Sequence, residues 1–166
     1  MPTYFALGEC SLGSILVACG RRGVCAIALG DGPDTLVRDV KQRFPLADWR
    51  HGEAECGRFA ARVADFVEAP ALGLDLPLDA WGTAFQRRVW QALRGIPVGA
   101  TASYADLAWR LGVPRAVRAV GRACAANPLA LAVPCHRAVR ADGGLSGYRW
   151  GLWRKAELLR REQTPR

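Results

Sequence analysis

No apolar run in the sequence is long enough to cross a bilayer, and the N-terminus lacks the basic start and hydrophobic centre of a signal peptide. The expectation is a cytoplasmic protein with no membrane partner. Histidine is scarce, with only His51 and His136 among 166 residues. Six cysteines are present (Cys10, Cys19, Cys25, Cys56, Cys124 and Cys135), yet no two have C-x-x-C spacing, so no metal site is expected. Five of them sit among apolar residues and read as reduced core thiols. What is there is ordinary globular material: 51% hydrophobic and 23% charged residues, enough for one good core or two small ones packed together.

The charge is unevenly divided. A connection containing Pro77 at 76–81 suggests two domains, 1–80 and 81–166. The first holds eight Lys and Arg against eleven Asp and Glu, a net −3; the second holds fifteen against four, a net +11. A solvated basic face needs no partner, but so lopsided a split favours a polyanion docking on the C-terminal half.

Three β-rich segments at 3–10, 14–19 and 24–29 predict an antiparallel meander. Helical periodicity follows in Leu36, Val37, Val40 and Phe44, then in Cys56, Phe59, Ala60, Val63, Phe66 and Val67. No catalytic constellation occurs here, and this half reads as scaffold. The second half reads as mostly helical. Thr83 with Gln86 forms a capping box ahead of Phe85, Val89 and Leu93, and Gly95 with Pro97 ends that helix. Ser103 caps a short helix with Leu107, Ala108 and Leu111 inward. Gly112 stops it, and Pro114 opens the next at a first-turn position. The pattern is helix, tight turn, helix.

On that last helix Val117, Val120, Gly121 and Cys124 have the spacing of a buried face, with Arg115, Arg118 and Arg122 opposite. The residues flanking the arginines are Ala119, Ala123 and Ala126, so the outer face is basic and without bulk. It offers no Asn or Gln before Asn127 to read base edges in a major groove. Small residues with arginine suit a shallow, sequence-tolerant approach to double-stranded DNA through the minor groove, where affinity comes mostly from phosphates.

Pro134, Cys135, His136 and Arg137 follow the apolar run 129–133, which reads as a buried strand. A cysteine there is either a small core residue or a nucleophile, and the second needs a base, donor or cation nearby. These four residues, the run Gly147-Tyr148-Arg149-Trp150-Gly151 and the preceding helix pair resemble the O6-alkylguanine-DNA alkyltransferases, also called methylated-DNA–protein-cysteine methyltransferases, most of all those of the Ada type. The likeness is strongest over 82–162 and persists in Leu12-Gly13, Arg22-Gly23 and the turn at Asp31.

The resemblance implies an α/β fold of two subdomains: an N-terminal ribonuclease H-like antiparallel sheet with helices, and a mostly helical, winged-helix-like C-terminal subdomain. It implies repair of O6-alkylguanine, and more weakly O4-alkylthymine, by base flipping and irreversible alkyl transfer to Cys135. His136 and Glu162 would deprotonate the thiol through a water, since neighbours on an extended segment point apart. Tyr104 would protonate the departing guanine, and Arg118 would fill the vacated space in the duplex. Asn127 would position the cysteine. Ser103, Arg115, Arg122, Ala119 and Ala126 would complete the DNA contact. Tyr148, Arg149 and Trp150 would line the pocket, with backbone groups of Cys135 and Ala138 meeting the purine and Ala138 standing where the family usually has valine. Trp150 there predicts poor reaction with O6-benzylguanine. An S-alkylcysteine is a poor leaving group, so each chain acts once, as a monomer, with no metal, nucleotide or redox cofactor. The alternatives are a lesion sensor, which would lack the nucleophile, and a transcriptional regulator of the alkylation response, whose zinc-binding cysteine domain is absent from these residues.

Overall fold

The computed structural model describes residues 2–163. The chain divides into two compact units, Met1–Trp81 with Pro128–Ala132, and Gly82–Asn127 with Val133–Arg166.

In the first unit β1 (Pro2–Cys10), β2 (Gly13–Gly20) and β3 (Gly23–Gly30) form the expected meander through two-residue turns, with Cys10 paired to Gly13 and Gly20 to Gly23. Ile15, Leu16, Val17 and Ala18 of β2 are all wholly buried, which requires cover on both faces of the sheet. Leu36 and Val40 of α1 (Pro33–Arg43) pack with Leu16, Ala18 and Phe5 on one face. α2 (Ala54–Glu68) packs against β1 and β2 and sends the Cys56 thiol to the Val17 carbonyl, 3.2 Å away. The result is an α/β sandwich of three layers.

A fourth strand, β4 (Asp48–His51), pairs parallel to β1 and gives the sheet the order β3-β2-β1-β4. Its polar sequence conceals it. The Trp49 indole donates to the Phe44 carbonyl at 3.0 Å, and the His51 ring stacks on Phe5 at 4.8 Å. The opposite edge, β3, is covered by two short stretches. Val24 exchanges hydrogen bonds with Pro77 and Asp79, and Ile27 with Pro128 and Ala130. Division at 80/81 leaves 128–132 in the second half, whereas this pairing puts it in the first unit. The segment is also not a regular strand. After one bridge at Leu129, the Ala132 amide bonds to the Ala130 carbonyl around Leu131 at φ 73, a γ-turn with positive φ.

The second unit holds α3 (Ala84–Arg94), α4 (Tyr104–Arg110), α5 (Val117–Ala125) and α6 (Leu152–Gln163), with β5 (Ala102–Ser103) parallel to β6 (Ala138–Val139). The capping box is present, Thr83 Oγ1 accepting from the Gln86 amide at 3.1 Å and Gln86 Oε1 from the Thr83 amide at 2.9 Å. Ser103 and Asp106 make a second one at α4. Val89, Leu93, Leu107, Val120 and Leu158 are fully buried, and Trp90 Nε1 ties α3 to α5 through the Ala123 carbonyl at 2.8 Å. α5 begins at Val117, three residues later than Pro114. The Ala116 amide bonds to the Val113 carbonyl at 2.8 Å, so Pro114 occupies the second position of a β-turn, where its fixed φ fits as well as in a helix. Arg115 therefore lies in the turn, and Ala123, expected outside, is buried.

Gly23 is the most constrained glycine of the sheet. Its φ is +140, and a Cβ there would lie 2.6 Å from the Pro77 carbonyl oxygen. Gly23→Ala is expected to lower stability by about 2–4 kcal/mol. Urea unfolding checks this, with Arg22→Ala as a neighbour that changes little.

Candidate active site

Cys135 opens a 3-10 turn, Cys135–Arg137, and its amide bonds back to the Val133 carbonyl at 2.8 Å around Pro134 at φ −80 and ψ 63. This is an inverse γ-turn, which the proline ring favours by fixing φ. The cysteine, 6% exposed, sits at the wall of a cavity of about 630 Å³. Wholly buried Asn127 fixes it, donating from Nδ2 to the Val133 carbonyl at 2.8 Å and to Cys135 Sγ at 3.3 Å. Burial pushes the thiol up to about 11, against the opposing effects of the Asn127 amide and the Lys155 ammonium. The resting sulfur is a thiol, and it needs a base to become a nucleophile.

That base is next in sequence. His136 Nε2 is 2.8 Å from Glu162 Oε2, and both side chains are wholly buried. Arg137 clamps the same carboxylate, Nε to Oε1 at 2.9 Å and Nη2 to Oε2 at 3.0 Å, while its Nη1 reaches the Ile96 carbonyl at 2.7 Å. Burial alone would raise Glu162, but the bonds from His136 and Arg137 outweigh it and pull the carboxyl down to about 2. Being ionised, the carboxylate only accepts, so Nε2 must carry the hydrogen. Burial lowers the imidazole's affinity for a second proton, more than Glu162 restores it. Nδ1 is then a bare lone pair, buried and with no hydrogen-bond partner among the described residues. A neutral imidazole with a bare nitrogen, on the residue that follows the thiol in the chain, is a base held ready.

Tyr104, at the first position of α4, bonds its hydroxyl to Ser146 Oγ at 2.6 Å at the same cavity. Burial raises its pKa against the Ser146 bond, so the phenol keeps its proton and can donate it. Tyr148 also lines the cavity, its ring edge-on to Trp150 at 5.2 Å and to His136 at 6.5 Å. Its hydroxyl is buried without a partner among the described residues, and burial, with Cys135 and Glu162 nearby, raises its pKa well above normal.

α5 supplies the far wall. Arg118 lines the cavity mouth, and Arg122 is exposed on the same helix. Arg115 stands exposed in the preceding turn. Ala119 is half-buried, and Ala126 ends the helix half-buried as its C-cap. Val117 and Gly121, expected in the core, line the cavity instead, and a Cβ on Gly121 would meet nothing within 4 Å.

Cys135, Tyr104, Tyr148, Arg149 and Arg118 thus share one cavity, with Asn127 bonded to Cys135 and with His136, bonded to Glu162, following it in the chain. Trp150 is buried, its ring in contact with that of Tyr148, and it is not among the lining residues. Ala138 is wholly buried in β6, its amide bonded to the Cys135 carbonyl, and does not line the cavity. Ser103 spends its hydroxyl on the α4 cap, bonded to the Asp106 amide at 2.9 Å. His136 is not on an extended segment; it follows Cys135 in a 3-10 turn. Sequence reasoning missed Arg137, Ser146, Cys124 and Lys155. A signal existed for Lys155, because Lys155, Leu158 and Glu162 fall at i, i+3 and i+7, a buried helical stripe carrying two charges.

Residues 84–164 match the family model described as 6-O-methylguanine DNA methyltransferase, DNA binding domain. Over 162 residues, 98% of the chain, it is 54% identical to the bifunctional transcriptional activator/DNA repair enzyme Ada of Escherichia coli K12, of which the match covers 46%. It is 53% identical over 145 residues to a methylated-DNA–protein-cysteine methyltransferase of Mycolicibacterium paratuberculosis, covering 85% of this chain and 87% of that protein. The crystal structure of Mycobacterium tuberculosis OGT in complex with DNA superposes with a TM-score of 0.77 at 32% identity, covering 96% of this chain and 92% of that one. The chain spans a little under half the length of the Ada proteins that it matches.

Because Glu162 is held at about 2 rather than its ordinary 4.5, its contribution to stability is complete above pH 4.5 and is lost as pH falls toward 2. Glu162→Gln is expected to unfold more easily at neutral pH and to lack that acid decline. Denaturation midpoints followed across the window check this, and parallel pH dependence in both proteins contradicts it.

Proposed function

As the chain belongs to the methylated-DNA–protein-cysteine methyltransferase family, we propose that it repairs O6-alkylguanine in double-stranded DNA, and O4-alkylthymine more weakly, by taking the alkyl group onto Cys135. The observation that carries this reading is the pairing of a cavity-wall thiol with a neutral, buried imidazole whose second nitrogen is held by Glu162.

A water relays the Cys135 proton to His136 Nδ1, and the trio of His136, Glu162 and Arg137 goes from neutral to a single positive charge. The thiolate attacks the alkyl carbon, the S–C bond forms, and the C–O6 bond breaks with its electron pair leaving on guanine. Tyr104 supplies a proton to that base as its charge develops. Asn127 Nδ2 keeps the sulfur aimed at the cavity. The product is a neutral thioether that water does not displace, so each chain acts once and draws on no cofactor.

The arginine-bearing face supports minor-groove docking with low sequence preference, Arg115 and Arg122 meeting phosphates and Arg118 the space left by the everted nucleotide. Eversion costs roughly a few kcal/mol. Ala119, Ala126 and Ser103 are small enough to let the backbone approach. Tyr148 and Arg149 border the extruded base. We take the first unit as ribonuclease H-like and the second as winged-helix-like, on the meander flanked by helices and on α4, its turn and α5. A monomer working in the cytoplasm accords with a partner that is DNA, and no described helix is long and apolar enough to cross a membrane.

Transfer of labelled methyl from an O6-methylguanine duplex tests the reading. One methyl per wild-type chain and none on Cys135→Ser is expected, and a serine variant that still clears the adduct overturns it. Tyr104→Phe should slow transfer by about 10²-fold. Arg122→Ala should weaken binding to all duplexes alike and reduce the slope of log affinity against log salt by about 1.

A further inference from the structure

A second cavity, of about 820 Å³, opens entirely among residues of the first unit. Its floor is an aromatic pair. Phe44 meets Trp81 edge-on at 5.2 Å, and Asp79 Oδ2 holds the Trp81 indole by accepting from Nε1 at 3.0 Å. The turn at 44–47, closed by the Ala47 amide on the Phe44 carbonyl at 3.3 Å, leaves Leu46 fully exposed at the rim. Cations border the same floor. Arg21 and Arg22 fill the two-residue turn between β2 and β3, where Asn and Gly are the usual occupants. The Arg43 guanidinium stands 5.5 Å from the centre of the Phe44 ring. Arg21 and Arg22 are exposed, and no ion pair among the described residues includes either.

An exposed leucine beside two half-buried aromatic rings leaves apolar surface in water, and adjacent like charges in a tight turn repel. Of the two carboxylates in the wall, Asp79 is engaged by Trp81 and Asp48 by Arg50 at 3.2 Å, so Arg21 and Arg22 keep their charge for a partner. This positive rim lies on a unit whose net charge is −3. A nucleic acid strand is held by an unbroken run of cations, and the acids in the wall and the charge of the unit oppose it. A small anion has no use for the apolar floor. A chain that carries both carboxylates and a large apolar side chain uses floor and rim together, because guanidinium forks take carboxylates in two parallel bonds and tryptophan and arginine dominate protein contacts. β4, which starts at Asp48 in the wall, is also the outermost strand of its sheet, with no strand on its far side among the described residues. Such an edge suits an extended partner. We propose that this cleft docks a short acidic peptide segment of a protein partner, its carboxylates on Arg21 and Arg22 and an apolar side chain against Phe44, Leu46 and Trp81. Docking there is independent of alkyl transfer.

Fluorescence polarisation of the labelled peptide Glu-Asp-Asp-Asp-Leu-Phe with the full chain tests this. Saturable binding at micromolar concentrations is expected, weakening as salt is raised, and a peptide with lysine in place of its acids should not bind. The double variant Arg21→Ala/Arg22→Ala should weaken the acidic peptide by about tenfold or more, with transfer of methyl from duplex DNA left at the wild-type rate. Leu46→Ser, at a fully exposed position, should weaken the same peptide by about threefold or more. No saturation up to about 1 mM, or equal affinity of the wild-type and doubly substituted chains, overturns the proposal. Two further results do so as well. If the double variant loses affinity for duplex DNA together with the peptide, the turn is a nucleic-acid contact. If the wild-type chain self-associates in sedimentation and the double variant does not, the cleft is an interface between copies of this chain. The peptide measurement needs no DNA, so failure to take methyl from DNA refutes the proposed function alone.

Discussion

One carboxylate organises the candidate site. Glu162, wholly buried in its side chain, is shared by His136 and Arg137, and the protonation state of the imidazole follows from that sharing. A buried carboxylate facing only an imidazole would draw a proton onto the ring and spoil it as a base. The Arg137 guanidinium, bidentate on the same group, satisfies the charge and lets His136 stay neutral. Removing one partner of such a buried set typically costs about 3–5 kcal/mol, because the remaining charge is left uncompensated. Stability and reactivity thus draw on the same three side chains.

The backbone delivers the cysteine to this set by two tight turns, one around Leu131 with positive φ and one around Pro134. A residue with a branched side chain held at φ 73 stores strain of about 1–3 kcal/mol, and the surrounding burial of 129–133 maintains it. Asn127, just past the end of α5, then bonds the Val133 carbonyl and the sulfur with one amide and so fixes where the nucleophile points.

Much of this architecture was legible in the residues. The meander, the Thr83 and Ser103 caps and the inward stripes of α1 to α4 follow from periodicity and local turn chemistry, which act over a few residues. β4 was not legible, because a short, exposed edge strand of polar sequence owes its existence to pairing with β1. Pro114 read as a helix start, because its fixed φ suits both a first helical position and a turn, and the hydrogen bond from Ala116 to Val113 makes it a turn. In the site, Cys135, His136 and Tyr104 could be named from sequence motif and resemblance. The Arg137 clamp, the Ser146 partner of Tyr104 and the burial of Lys155 depend on side chains meeting across long sequence separations, and no local pattern carries that.

The central claim is that His136 waits as a neutral imidazole with hydrogen on Nε2 and a bare Nδ1. Nitrogen-15 NMR of the two histidines tests it directly, with exposed His51 as the reference. At neutral pH Nε2 of His136 is expected to be protonated and Nδ1 bare, with imidazolium forming only below the ordinary histidine range. An imidazolium already present at neutral pH, or hydrogen found on Nδ1, contradicts it.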